Sequence, residues 1–243
     1  MEQHFSQKFT ISYLHTDRFG RATPTALLYF MQEASGSHCA LLEVDREHIS
    51  PKHLFWAVTR SKVQVTRLPR LHETITVETW PMPTTRVAYP RSVVAYDPEG
   101  NELFRSVSLW VLMDDRTRTL VLPGKSGVTV NGQLNGTELA VPHGIAALPA
   151  EGIAQRTVGY SFLDQNGHMN NTRYMDWVWD LLPSEFHRQH QLKDLTVCYL
   201  NEALENDTVD LQYSLSDGPT LTVDAQRAGQ RIFSTQAVFE QIL

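Results

Sequence analysis

Three polar side chains between Asp164 and His168 have the types and spacing to act together on a substrate. Asp164, Asn166 and His168 occupy alternate positions just before a predicted helix start. Alternate residues of an extended loop point the same way, so the three side chains can share one face. A helix N-terminus adds unpaired backbone N–H groups and a partial positive charge, which suit a developing oxyanion. The pattern therefore favours a catalytic loop over a purely structural one.

A structural interpretation of the same segment stays open. Asp and Asn are favoured in turns and helix caps, and His168 could be a hydrogen-bonded structural histidine. For Asn170 and Asn171, which follow the three polar residues, we prefer the capping role. Gly167 allows the backbone to bend or to approach a ligand closely, so the loop is compatible with either interpretation.

A weak internal repeat indicates which copy of this segment carries chemistry. Residues 17–25 align with residues 164–172 at an offset of 147, and the two segments share Asp, Gly and Thr. Residues 63–77 align with residues 197–211 at an offset of 134. The first copy lacks the Asn and the His of the second. We therefore predict that one copy is catalytic and that the other is silent.

Each copy is predicted to contain a loop, one long helix and several antiparallel strands. Thr23 can cap the first helix with Pro24 at its first position, and Pro183 ends the second helix. After each helix the apolar period changes to two, which is typical of strands. A long helix packed on a curved antiparallel sheet is the hot-dog fold. The sequence thus predicts an α+β protein of two tandem hot-dog domains.

The distribution of aromatic residues and glycines divides the chain into two units. No aromatic residue lies between Trp110 and Tyr160, and six of the thirteen glycines fall within residues 123–152. Such a segment has little to bury and many turn formers, so it is typical of a linker. We therefore predict an N-terminal domain, a linker and a C-terminal domain, which cover residues 1–122, 123–155 and 156–243.

The composition is that of an ordinary folded protein. Of the 243 residues, 42% are apolar and 20% are charged, and the formal net charge is −6 without a long basic run, which disfavours nucleic-acid binding. Cys39 and Cys198 cannot form a disulfide framework. The N-terminus resembles neither a signal peptide nor an anchor, and no window reaches the roughly 18 apolar residues of a membrane span. We expect a cytoplasmic protein.

No residue pattern indicates a cofactor. The ten histidines are scattered, and no set of His, Cys and carboxylate residues has a zinc-like spacing. A glycine-rich phosphate loop is also absent from the sequence. We therefore expect neither a metal ion nor a nucleotide cofactor.

The segment that begins at Asp164 resembles a motif of the acyl-carrier-protein (acyl-ACP) thioesterases of plants and bacteria, which are tandem hot-dog proteins. The motif is Asp-x-Asn-x-His-x-Asn-Asn-x-x-Tyr-x-x-Trp, and it is matched at Asp164, Asn166, His168, Asn170, Asn171, Tyr174 and Trp177. Segments of the first repeat are similar too, namely Gln32–Ala34 with His38, Trp56–Arg60 and Ser108–Met113. The resemblance implies hydrolysis of fatty acyl-ACP, an acyl carrier protein as partner, and a possible homodimer.

The resemblance also implies a general base. The family has a Tyr-x-x-Glu-Cys segment, which corresponds here to Tyr199 through Ala203, so Glu202 is kept and the Cys is replaced. A cysteine nucleophile is therefore missing at that position, and Cys198 does not match it. Water attack on the thioester remains, with Glu202 as general base. His168 would orient or shuttle the proton, Asn166 would polarise the carbonyl or hold the water, and Asp164 would fix its neighbours.

The first repeat is predicted to shape the acyl pocket and a landing surface for the acidic carrier protein. The pocket candidates are Leu27, Phe30, Met31, Trp56 and Val58. Each of them also fits a general core role, since such residues are mostly buried packing. The candidate basic surface consists of Arg60, Lys62, Arg67 and Arg70, or of Arg86 and Arg91.

Two alternative functions stay open. A hot-dog hydratase or dehydratase uses an Asp-x-Asn-Pro-x-His motif at this loop, but here Gly167 replaces the Pro and His168 comes one residue too early. A non-catalytic module that binds acyl thioesters would tolerate the loss of His168 and would show no turnover.

Overall fold

The computed structural model describes residues 4–147, 149–216 and 218–242. The elements of its first half are β1 (Phe5–Thr10), α1 (Pro24–Leu41), α2 (Arg46–Ile49), β2 (Leu54–Val65), β3 (Thr74–Pro81), β4 (Tyr89–Tyr96), β5 (Glu102–Asp114), β6 (Leu120–Val121) and α3 (Pro123–Ser126). Those of the second half are β7 (Gly152–Thr157), α4 (Tyr174–Trp179), α5 (Ser184–Gln189), β8 (His190–Tyr199), β9 (Thr208–Ser216), β10 (Thr220–Arg227) and β11 (Gln230–Gln241).

The strands form one antiparallel sheet in which the second half repeats the first. The order is β1-β3-β4-β5-β2 and then β8-β11-β10-β9-β7, with β6 paired to β5. β2 and β8 join the halves, with Arg60 opposite Cys198 and Val63 opposite Leu195. Each half has the same strand order read from its outer edge, which confirms the duplication and the tandem hot-dog fold.

One pair of equivalent backbone hydrogen bonds, one in each repeat, shows the same two residue offsets as the sequence alignments. The N–H of Ala22 donates to the carbonyl of Pro69, and the N–H of Met169 donates to that of Ala203, each at 2.8 Å. The first residues of these pairs differ by 147 positions and the second residues by 134. The two alignments therefore join equivalent loops, and the loop that precedes each helix pairs with the turn that follows β2 or β8.

The first helix begins and packs as its sequence predicts. The Thr23 hydroxyl accepts a hydrogen bond from the N–H of Ala26 at 3.2 Å, with Pro24 at the first helical position. Leu27 and Phe30 lie on the buried face of α1, which packs against the sheet. Burial of a large apolar side chain stabilises the fold by about 1.5–3 kcal/mol.

The helix of the second half is shorter than predicted. α4 has six residues, whereas α1 has eighteen. The predicted Asn170 or Asn171 cap is not formed, because Arg173 directly precedes the helix and makes no side-chain cap hydrogen bond. The Asn170 side chain instead accepts hydrogen bonds from the N–H and the hydroxyl of Thr172, both at 2.9 Å, which holds the turn before the helix. At its end, Pro183 has no N–H and disfavours helical backbone in the residue before it. These local preferences confine the second helix to the stretch between them.

The segment predicted as a linker is attached to the sheet by hydrogen bonds. The N–H of Gln133 donates to Pro81 at 3.0 Å, and the guanidinium groups of Arg105 and Arg231 donate to carbonyls of the segment. At Gly132 a Cβ atom would lie 1.9 Å from the Met82 carbonyl oxygen, so only glycine allows this approach. β7 begins at Gly152, inside the predicted range. The domain boundaries themselves stay a prediction.

Among the described residues, no helix is both long enough and apolar enough to cross a membrane.

Candidate active site

The Asp164 carboxylate shapes the loop that carries the candidate catalytic residues. Its Oδ1 accepts hydrogen bonds from the backbone N–H groups of Asn166 at 2.7 Å and His168 at 3.2 Å. Gly167 has a φ of +76°, in the left-handed region that glycine adopts without strain. Asp164 therefore fixes its neighbours by hydrogen bonding, which is the role predicted for it.

The first repeat contains the same loop with different side chains. Asp17 Oδ1 accepts hydrogen bonds from the N–H groups of Phe19 at 2.8 Å and Arg21 at 3.0 Å. The aspartate thus holds the loop by the same pair of backbone hydrogen bonds in both copies. Asn166 and His168 replace Phe19 and Arg21, and they are what distinguishes the second loop.

The residues equivalent to His168 and Glu202 have structural roles in the first repeat. Arg21 is 5% exposed, forms a salt bridge with Asp17 at 2.9 Å and donates to the carbonyl of His190 at 3.1 Å. The counterpart of Glu202 at the 134 offset is Leu68, which is buried. The first repeat therefore has neither an imidazole nor a carboxylate at these positions.

The second repeat brings His168 and Glu202 together. His168 Nε2 lies 3.4 Å from Glu202 Oε2, although 34 residues separate them along the chain. The contact follows from a β-bridge between His168 and Leu204, which lays the loop beside the turn after β8. The His168 side chain is 14% exposed and that of Glu202 is 43% exposed. A largely buried imidazole therefore faces a solvent-accessible carboxylate.

Arg118 is a third member of this cluster that sequence reasoning missed. Its Nη2 contacts both Glu202 Oε2 and His168 Nε2, and its guanidinium carbon lies 5.0 Å from the centroid of the Phe55 ring. Arg118 belongs to the turn between β5 and β6, in the half predicted to be silent. A single arginine in a hairpin gives no sequence signal, because only the pairing of the two repeats brings this turn to the site.

Two cavities meet at the catalytic loop. The first has a volume of about 260 Å³, and the second, of about 220 Å³, contains His168 and Glu202 in its wall. Both linings combine apolar and polar side chains in similar proportion. They share Trp56, Trp110, Asp164, Asn166 and Asn171. Asn166 therefore lies where the first cavity meets the cavity of the imidazole and the carboxylate.

A third cavity lies on the other side of Glu202. It has a volume of about 300 Å³, and Arg118, Leu204 and Arg227 line it together with residues of the second cavity. The shared residues are Met113, Leu200, Asn201 and Glu202. Glu202 thus lines two cavities, and the second of the three shares wall residues with each of the other two.

The predicted pocket residues divide into two groups. Trp56 lines the first and second cavities and Val58 lines the second. Leu27, Phe30 and Met31 line neither cavity, because they lie in the core on the face of α1 that packs against the sheet.

A different face of α1 borders the first cavity. Its residues are Gln32, Ser35, Gly36 and Cys39, which follow the helical spacing i, i+3, i+4, i+7. The apolar pattern of the helix therefore identified its core side, and the cavity side is the more polar one.

Two tyrosines, the buried Tyr174 and the half-buried Tyr199, line the second cavity. The Tyr199 hydroxyl donates to the carbonyl of Asn171 at 2.9 Å, and burial raises the pKa of both Tyr174 and Tyr199. Both hydroxyls therefore stay protonated at neutral pH. Tyr174 is one of the positions of the motif, and it is buried against Phe233 with a ring-centroid distance of 4.6 Å.

One residue of the predicted carrier-docking surface is in the interior. Arg91 is 5% exposed, and its Nη1 donates to His38 Nδ1 at 3.0 Å and to the Thr79 hydroxyl at 3.2 Å. Burial lowers the pKa of this guanidinium. Arg91 lines the first cavity and cannot meet a protein partner, so it is removed from the docking candidates.

The part of the chain that the structure describes contains no group of three or more His, Cys, Asp or Glu side chains placed to hold a metal ion. The cluster of His168, Glu202 and Arg118 supplies an acceptor, a carboxylate and a cation. These groups can remove a proton from water and stabilise charge.

Fold and site together define a tandem hot-dog protein with an imidazole and a carboxylate at the junction of its two repeats. Two family models match the chain. The acyl-ACP thioesterase N-terminal domain matches residues 2–122, and the acyl-ACP thioesterase C-terminal domain matches residues 147–240. The chain belongs to the acyl-ACP thioesterase family.

Individual relatives agree with this assignment. The palmitoyl-acyl carrier protein thioesterase of Gossypium hirsutum is 27% identical over 234 residues, which cover 89% of this chain and 56% of that relative. The chain thus spans little more than half the length of this relative. The structure of an acyl-ACP thioesterase from Bacteroides thetaiotaomicron has a TM-score of 0.90 at 22% identity and 98% coverage of each chain. The 12:0-ACP thioesterase of Umbellularia californica gives 0.86 at 23% identity, covering 100% of this chain and 99% of the other.

Proposed function

We propose that the protein hydrolyses the thioester of fatty acyl-ACP and releases a free fatty acid. The observation that carries the proposal is the 3.4 Å approach of Glu202 Oε2 to His168 Nε2 in the wall of a cavity that adjoins a second one. A carboxylate beside an imidazole is suited to general-base activation of water. The family of the chain and the names of its relatives support a thioester as substrate.

The reaction begins with proton transfer from water to the Glu202 carboxylate. The water oxygen attacks the thioester carbonyl carbon and forms a tetrahedral oxyanion, toward which Asn166 offers its side-chain amide. Collapse of this intermediate breaks the carbon–sulfur bond, and the proton held by Glu202 passes to the departing sulfur. The products are the fatty acid and the thiol of the carrier. The His168 ring lies beside the carboxylate, and Asp164 holds the loop.

The cavities suggest where each part of the substrate binds. The acyl chain occupies the first cavity, since Tyr89, Trp110 and Val130 contribute apolar surface to its wall and it opens beside Asn166. The arm that carries the thiol leaves through the third cavity, which shares Glu202 with the second. A thioester carbonyl in the second cavity would then have an extended group on either side, as a fatty acyl carrier substrate requires.

In the proposed function, the second repeat supplies the catalytic residues and the first repeat supplies cavity walls, with one exception. The domain over residues 156–243 supplies Asn166, His168 and Glu202, and the domain over residues 1–122 supplies Trp56 and Val58 to the cavities. Arg118 is the contribution of the first domain to the catalytic cluster.

The experiment that tests the proposal is a substrate panel with the full chain. Acyl-ACP and acyl-coenzyme A thioesters of several chain lengths are incubated with the protein, and released thiol is measured with a disulfide reagent. We expect thiol release from acyl-ACP, and a His168→Ala variant that is at least about 100-fold slower. Binding of acyl-ACP without thiol release would contradict the proposal and favour a binding module. Water addition to an enoyl thioester without thiol release would favour a hydratase.

Oligomeric state and location stay predictions. The homodimer and the cytoplasmic location come from the family resemblance and from the sequence, whereas the plant relatives are named as chloroplastic. Light scattering after size exclusion measures the mass in solution, and a value near twice the 27.6 kDa of the chain would support the dimer.

A further inference from the structure

We propose that Arg118 is a positioning residue, supplied by the first repeat, that holds the general base Glu202 and the ring of His168 in their working geometry. This inference rests on the proposed function, because it assigns a partner to the base of that reaction. Arg118 lies outside the motif and outside the half that contains the motif.

The contacts of Arg118 divide the roles of the two Glu202 oxygens. The guanidinium Nη2 donates to Oε2, and among the described residues no hydrogen bond reaches Oε1. A carboxylate held by one oxygen keeps a single rotamer and leaves the other oxygen for water. Glu202 lines both the second and the third cavity, so such a water has room beside it.

The same arginine nitrogen determines which nitrogen of the His168 ring carries the proton. Guanidinium N–H groups only donate, so the Nε2 atom that Nη2 contacts is an acceptor, and the neutral ring carries its proton on Nδ1. In this tautomer Nε2 does not donate to Glu202, and the carboxylate keeps its capacity to accept a proton from water. Arg118 thus assigns the proton-accepting task to Glu202.

Hydrogen bonds hold the turn that contains Arg118 in one conformation. Asp114 Oδ1 accepts hydrogen bonds from the N–H groups of Arg116 at 2.9 Å and Thr117 at 2.8 Å, and the N–H of Arg118 donates to the Asp114 carbonyl at 3.0 Å. Arg118 itself has a φ of +58°, in the left-handed region that residues other than glycine rarely occupy. Backbone strain of this kind is concentrated at functional sites, where the surrounding structure enforces it.

The side chain is fixed from a second direction. Its guanidinium carbon lies 5.0 Å from the Phe55 ring centroid, within the range of a cation–π contact. Arg116, two residues earlier in the same turn, contacts the His53 ring instead and lines none of the three cavities. The turn therefore supplies two arginines of similar exposure to solvent, of which one faces the site and the other provides a matched control.

The test compares Arg118→Ala, Arg118→Lys and Arg116→Ala with the wild-type chain. Steady-state kcat and KM are measured on acyl-ACP and on a short acyl thioester of N-acetylcysteamine, which lacks carrier and phosphate. We expect Arg118→Ala to lower kcat about 10- to 100-fold on both substrates, with KM changed less than about threefold. Arg118→Lys should retain an intermediate kcat, and millimolar guanidinium should partly restore Arg118→Ala. Arg116→Ala should match wild type.

Two results would overturn the inference. The first is that the wild-type chain is active and the Arg118→Ala variant has the same kcat on both substrates. The second is that Arg118→Ala changes only the KM for acyl-ACP, which would make Arg118 a contact of the carrier. A structural role alone would give no rescue by guanidinium.

A measurement without turnover separates this inference from the proposed function. Nitrogen-15 NMR of the His168 ring reports its tautomer, and we expect Nδ1–H in wild type and in Arg116→Ala. The preference should be lost in Arg118→Ala. A wild type that hydrolyses no thioester would reject the proposed function and leave this spectrum to decide whether Arg118 fixes the ring.

Discussion

Gly36 offers a direct way to shorten the first cavity. It lies on the cavity face of α1, and a Cβ atom built on it meets no atom within 4 Å. A Gly36→Leu side chain would therefore extend into the cavity without disturbing the backbone. If the cavity holds the acyl chain, the variant must favour shorter substrates.

The magnitude follows from the apolar contact that the longer chains lose. Each methylene excluded from an apolar site forfeits about 0.8 kcal/mol, or about fourfold in kcat/KM. A leucine that displaces two or three methylenes should lower kcat/KM for the longest good substrate about 15- to 60-fold. Substrates shorter by that number of carbons should be unaffected.

The assay is thiol release from an acyl-ACP series with two controls. Gly36→Ala should keep the chain-length profile and stabilise the helix by about 0.5–1 kcal/mol, since alanine is the better helix former. Ala40→Leu places the same side chain at an exposed position of α1 that lines none of the three cavities described above. An unchanged profile in Gly36→Leu would refute the assignment of the first cavity to the acyl chain.

Three further predictions concern stability and loop structure. Leu27→Ala should cost about 2–5 kcal/mol in chemical denaturation and leave the chain-length profile unchanged, because Leu27 is core and not cavity lining; a shifted profile would contradict this. Asp164→Ala should destabilise by about 1–2 kcal/mol, since its carboxylate accepts two backbone N–H groups. Asp17→Ala should destabilise more, by about 3–5 kcal/mol, because it also leaves the buried Arg21 without its salt-bridge partner. Only Asp164→Ala should reduce turnover; equal activity losses would argue against a silent first loop. The Arg67 guanidinium holds the pKa of Glu73 below its usual range. This pair therefore stabilises the fold at neutral pH, and its contribution is lost as the pH falls below about 4.3 and through the lowered folded-state pKa. The Glu73→Gln variant should thus be less stable than wild type at pH 7 and should lose less stability than wild type on acidification. Parallel curves of the free energy of unfolding against pH for the two proteins would contradict this.

Local sequence rules predicted the elements that depend on neighbouring residues. The Thr23 cap, the Pro24 start and the apolar face of α1 all follow from short-range preferences. The repeat offsets were visible because equivalent loops keep the same aspartate and glycine for the same hydrogen bonds. The approach of His168 to Glu202 was accessible through the family resemblance, since Glu202 alone is an ordinary exposed glutamate.

The features that the sequence did not predict depend on long-range packing. The linker range carries no aromatic residue, and its attachment comes from side chains such as Arg105 and Arg231, which donate to its carbonyl groups. The cavity face of α1 is polar, so an apolar pattern identifies the opposite face. Arg118 reaches the site only because β2 and β8 join the two halves.

The central claim is that the Glu202 carboxylate activates water, and one pair of variants tests it most directly. Glu202→Gln keeps the size of the side chain and removes the proton acceptor, whereas Glu205→Gln makes the same change at an exposed position of the same turn. Under single turnover with acyl-ACP, the account predicts a hydrolysis rate at least about 100-fold lower for Glu202→Gln and a wild-type rate for Glu205→Gln. A wild-type rate in Glu202→Gln would contradict it.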